Sequence, residues 1–83
     1  MQVTVRYFAS LREALGGSES LVLPAGTSLG DLRDLLIARG GRHAEVLARG
    51  RSLRCALNQV MADEATAVPA GAEVAFFPPV TGG

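Results

Sequence analysis

Glu73-Val74-Ala75-Phe76-Phe77-Pro78-Pro79-Val80-Thr81-Gly82-Gly83 are the last residues of the 83-residue sequence. Residues 74–77 are apolar and include two aromatics, which is strand composition. Two prolines follow. Neither offers an N–H to a ladder and both fix φ near about −65°, so pairing is expected to stop at Phe77. The chain then leaves the folded part. Residues 78–83 can span about 20 Å, at roughly 3.3–3.6 Å each. The last two, lacking side chains, can thread a narrow channel, though glycine also loses the most backbone entropy when ordered. The sequence therefore predicts a domain over 1–77 and a flexible tail over 78–83.

A strand at 73–77 needs partners, and the preceding sequence supplies them. Val3, Val5 and Tyr7 alternate with Thr4, Arg6 and Phe8, the period of a strand with one buried face. Ser20 to Leu23, bounded by Pro24-Ala25-Gly26, reads as a second strand. Leu53, Cys55 and Leu57 alternate with Arg54, Ala56 and Asn58 as a third, and Val60 to Ala62 as a short fourth. Between the second and third, Thr27 and Ser28 are N-cap candidates for the main helix. There Leu29, Leu32, Leu35 and Leu36 form an apolar stripe, and Asp31, Arg33 and Asp34 are expected to face water. Arg39 and Gly40-Gly41 close it. Ser10-Leu11-Arg12-Glu13 has the form of a capping box opening a short helix, and His43 to Ala48 suggests another. Strands without βαβ alternation indicate an α+β fold: a mixed sheet of four to five strands, one main crossing helix and short extra helices.

Composition narrows the partners. Apolar residues make up 48% of the chain, enough for one small domain. Eight Arg balance five Glu and three Asp, leaving no net charge to hold a phosphate backbone or an anionic membrane. Neither nucleic acid nor membrane is an expected partner. The apolar run from Val74 to Val80 is far short of the roughly 20 residues of a membrane helix, and no signal-peptide pattern opens the chain. A lone cysteine can form no internal disulfide, so a cytoplasmic location is expected. All eight basic residues are arginines, so no lysine offers an amine for a Schiff base or an isopeptide bond.

The whole chain resembles the ubiquitin-like sulfur carriers of the β-grasp fold, most closely the MoaD type found as small subunits of molybdopterin synthases. The resemblance is carried by Val5-Arg6-Tyr7-Phe8-Ala9 leading into Leu11-Arg12-Glu13, by Ala56-Leu57-Asn58-Gln59, and above all by residues 73–83. It implies that an ATP-consuming activating enzyme adenylates Gly83, and that a sulfur donor then converts the acyl adenylate to a thiocarboxylate. Direct substitution of a carboxylate would require oxide to leave, whereas an acyl adenylate releases AMP. It further implies that the large synthase subunit uses the thiocarboxylate sulfur to build the dithiolene of molybdopterin. Pro78, Pro79, Val80, Thr81 and Gly82 would thread into that subunit. The carrier is then a cosubstrate more than a catalyst, and ATP binds the activating enzyme, so no cofactor is expected on this chain. Gly-Gly alone is shared with carriers for thiamine, cysteine or tRNA thiolation and with ubiquitin-like protein modifiers. A passive interaction domain would need no free terminus.

Other residues compete for attention. Cys55 shares strand parity with Leu53 and Leu57, so core packing is expected in preference to a persulfide role. His43 has no cluster at ligand spacing, and no metal site is expected. The glycine pairs at 16–17 and 40–41 fit helix ends, not a phosphate loop. Phe8 has the parity of Thr4 and Arg6, and Phe77 that of Glu73 and Ala75, which puts both on the solvent face; Met61 is similarly ambiguous. These three are the candidate partner surface.

Overall fold

The structure, a computed structural model, describes residues 1–79. Its elements run β1 (Gln2–Tyr7), α1 (Ser10–Leu15), β2 (Ser18–Val22), α2 (Leu29–Ile37), α3 (Gly41–Leu47), β3 (Arg54–Leu57), β4 (Val60–Ala62) and β5 (Glu73–Phe77). One five-stranded sheet has the order β2-β1-β5-β3-β4. Its central pair, β1 and β5, is parallel and the other pairs are antiparallel. The last strand in sequence thus lies between the first and third, the β-grasp arrangement the sequence predicts.

Alternation sets the faces. Val3, Val5 and Tyr7 are at most 1% exposed, whereas Gln2, Thr4 and Arg6 are exposed. On the buried face they meet Val74, Phe76, Cys55 and the helix residues Leu29, Leu32 and Leu36. Cys55 is core, as its parity predicts, and its Sγ donates to the Ala62 carbonyl at 3.2 Å.

The stripe of α2 is three leucines, not four. Leu35 is exposed, while Arg33, expected to face water, is only 4% exposed. At about 3.6 residues per turn, Arg33 lies nearer the centre of Leu29, Leu32 and Leu36 than Leu35 does. Its guanidinium is buried because it finds acceptors. Nε donates to the Leu47 carbonyl at 2.8 Å, and one terminal nitrogen to those of Ala48 at 2.6 Å and Arg51 at 3.0 Å. The other pairs with Glu64 at 2.9 Å. Arg33 thereby satisfies carbonyls that the end of α3 leaves open and sets a positive charge where the helix dipole favours one.

A capping box forms at α2, where a simple N-cap was expected, and not at α1. Ser28 Oγ accepts from the Asp31 N–H at 3.1 Å and Asp31 Oδ2 accepts from the Ser28 N–H at 3.2 Å. At α1 the cap position is Ala9, with φ 55°, so Ser10 is already helical and caps nothing. β3 and β4 are joined by Asn58-Gln59, both at positive φ, the two-residue turn that matches strand twist. Asn58 Oδ1 also accepts from the Glu73 N–H at 2.9 Å, fixing this hairpin to the start of β5.

Candidate functional site

Strand register assembles the solvent-facing side of the sheet. Arg6 lies opposite Ala75, Ala75 opposite Ala56, and Ala56 opposite Met61, so these residues form one row across four strands. In the next row Phe77 pairs with Arg54. Phe8 continues past Tyr7, its N–H donating to the Phe76 carbonyl at 3.3 Å, which sets its backbone alongside that of Phe77. Phe8 and Met61 are 37% and 55% exposed, and Phe77 is half-buried.

The two alanines explain the shape. Ala56 and Ala75 face outward by register, yet are only 7% and 8% exposed. Larger neighbours stand around them. Phe8, Phe77 and Met61 rise as walls above this alanine floor and enclose an open, apolar hollow of about 670 Å³. Pro78 and Pro79 line it too, so the chain leaves β5 along the rim. The Arg6 guanidinium stands over the Phe8 ring, 5.4 Å from its centre, and 3.8 Å from Glu73.

The structure thus brings Phe8, Met61, Phe77, Pro78 and Pro79 around one hollow. Val80, Thr81, Gly82 and Gly83 lie outside the described residues. Sequence reasoning missed the floor, although small residues at the outward positions 56 and 75 were the available signal. His43, set aside as a ligand, belongs to a polar group on another part of the surface. There Glu19 Oε2 accepts from the Tyr7 hydroxyl at 2.7 Å and meets His43 Nε2 at 2.9 Å, while Oε1 pairs with Arg39. Glu19 joins three side chains from separate elements there, which is a structural role. The Cys55 thiol is held above its ordinary pKa, first by burial and then by Glu64 and Asp63, so it is a poor nucleophile.

The ThiS family profile matches residues 5–83, from mid-β1 through the last glycine. The chain belongs to the ThiS family. Within that family it is 36% identical over 81 residues to the molybdopterin synthase sulfur carrier subunit of Haemophilus influenzae, across 98% of this chain and 99% of that one. Two solved structures match in shape. One is in a complex of subunits 1 and 2 of the molybdopterin-converting factor from Helicobacter pylori (TM-score 0.70, 27% identity, all of both chains). The other is small archaeal modifier protein 1 of H. volcanii (TM-score 0.77, 25% identity, 95% of this chain and 98% of that one). The ubiquitin-like β-grasp fold is therefore common to the group.

Proposed function

We propose that this chain is the sulfur-carrying subunit of a molybdopterin synthase. Its hollow docks a large subunit and directs residues 78–83 into that subunit's active site. The observation that carries the reading is the position of the hollow: its walls are Phe8, Phe77 and Met61, and its rim is the Pro78-Pro79 step that leads to Gly82-Gly83. The family match running to residue 83 and the likeness to the H. influenzae sulfur carrier subunit support a sulfur-carrying role. Gly83 is the residue adenylated by an activating enzyme at the expense of ATP. A sulfur donor then replaces AMP to leave a thiocarboxylate, whose sulfur the large subunit transfers.

The energetics fit. Ordering a tail costs on the order of 1–2 kcal/mol per residue in backbone entropy, so the complex needs an anchor elsewhere. Burying two aromatic walls returns roughly 1.5–3 kcal/mol each. Among the described residues no helix is long and apolar enough to cross a membrane, and we place the carrier in the cytoplasm.

Mass spectrometry tests the proposal. Incubation with the activating enzyme, ATP and a sulfur donor should exchange one terminal oxygen for sulfur. Deleting Gly82 and Gly83 should abolish this exchange with the melting temperature nearly unchanged. Dithiolene formation by the truncated chain would sink the carrier reading. The likeness to small archaeal modifier protein 1 supports a second reading, conjugation to lysines of other proteins. Recovery of isopeptide-linked adducts through Gly83, without thiocarboxylate, would favour it.

A further inference from the structure

The outward face of the sheet carries three formal charges, Arg6, Glu73 and Arg54, and two of them neutralise each other at 3.8 Å. Arg54 is left over. It is exposed, and among the described residues its side chain has no ion-pair or hydrogen-bond partner. Its place is fixed by the ladder: it pairs with Phe77, whose other neighbour is Phe8. An unpaired guanidinium therefore stands at the edge of the aromatic wall, one residue from the proline step.

We propose that the protein partner seated on this hollow presents a carboxylate to Arg54, and that this ion pair fixes the partner's rotation about the Phe8-Phe77 wall. The inference rests on the docking reading above. A surface that covers Phe77 must strip water from Arg54 or pass close by it. A cation desolvated without a counter-charge would oppose the apolar contact beside it. The planar fork of arginine matches a carboxylate with two parallel hydrogen bonds, so the pair carries direction as well as charge. The apolar hollow has no such directionality. It holds a knob in any rotation, whereas a pair on one side of it admits one. Because Arg54 lies opposite the last residue of β5, fixing that rotation also fixes where residues 78–83 begin.

The test is titration of the large synthase subunit with the intact chain and four variants, at low and high salt, with association rates measured alongside. Arg54→Glu is expected to weaken binding about ten-fold or more at low salt, and Arg54→Ala to flatten the salt dependence of the association rate. A carboxylate-to-arginine change in the large subunit should restore binding to Arg54→Glu. Arg42→Glu, on α3 and away from the hollow, should bind within about two-fold of the parent, marking the background effect of one reversed charge. If Arg54→Glu lowers the melting temperature, the salt slope of Arg54→Ala decides instead. Parent-like affinity and salt slope in both Arg54 variants, with binding abolished by Phe77→Asp, would overturn the inference and leave the docking reading standing. Intact binding by Phe77→Asp as well would overturn both.

Discussion

Glu19 accepts from Tyr7 on β1, sits on β2, and meets Arg39 and His43 around the start of α3, so one carboxylate joins three parts of the fold. Burial pushes its pKa up, but hydrogen bonds from His43, Tyr7 and Arg39 outweigh burial and hold it near about 2, against an ordinary 4.5. A depressed carboxylate pKa contributes stability above the unfolded value, and that contribution is lost as pH falls through the folded one. The parent protein should therefore lose stability between about pH 4.5 and about 2. Glu19→Gln should show a shallower loss over that window, and should cost roughly 1–3 kcal/mol at neutral pH by leaving the Arg39 guanidinium without a charged acceptor. Melting curves across this range check both. Some acid slope should remain, because Glu64 is also held low, first by its hydrogen bond from Arg49. At Cys55, Cys55→Ala should preserve sulfur transfer and cost about 1 kcal/mol for a small cavity. Loss of transfer in a folded Cys55→Ala protein would reinstate a persulfide role.

Among the elements, α2 shows how far periodicity reads. Its leucine stripe and Ser28 cap were legible, because both depend on residues within one turn of each other. The burial of Arg33 was not, because its acceptors lie 14 to 31 residues away. The Ser10 box failed for a related reason: the positive φ at Ala9 turns the chain one residue earlier than the motif requires. Gly30 gives the element-scale prediction. Helix propensity alone favours alanine there by about 1 kcal/mol. A Cβ at that position, however, would stand 3.2 Å from the Glu64 carbonyl oxygen, which already accepts from the Gly30 N–H at 2.9 Å. Retreat of that oxygen by a few tenths of an ångström would stretch and weaken the bond. Gly30→Ala is thus expected to be net destabilising, by about 1 kcal/mol, in urea unfolding. A stabilised variant would show that the 64–66 loop yields.

For the molecule as a whole, the decisive division is between the two faces of β5. Phe76 is 1% exposed and Phe77 half-buried, though they are adjacent in sequence. Phe76→Ala should cost about 3–5 kcal/mol and threaten folding. Phe77→Asp or Phe8→Asp should leave a folded domain that binds the large subunit tens-fold more weakly. Thermal melts with titration calorimetry separate these outcomes, and unfolding by Phe77→Asp with tolerance of Phe76→Ala would reverse the faces. Parity made the walls legible from sequence. The hollow was not, because it arises only when β3, β4 and β5 set two alanines side by side, a pairing that no local pattern encodes.

The parallel pairing of β1 with β5 has a practical result for anyone handling the protein. Both strands run the same way, so residue 1 and Pro78 emerge at opposite ends of the sheet, roughly 26 Å apart at about 3.3 Å for each ladder step between them. A dye, affinity handle or bead linker attached at residue 1 therefore points away from the hollow and from Pro78. Its one foreseeable penalty is local: the terminal ammonium donates to the Leu23 carbonyl at 2.7 Å, and an amide there would lose its charge. Immobilised in that orientation, the carrier should still accept every enzyme that acts on its other end.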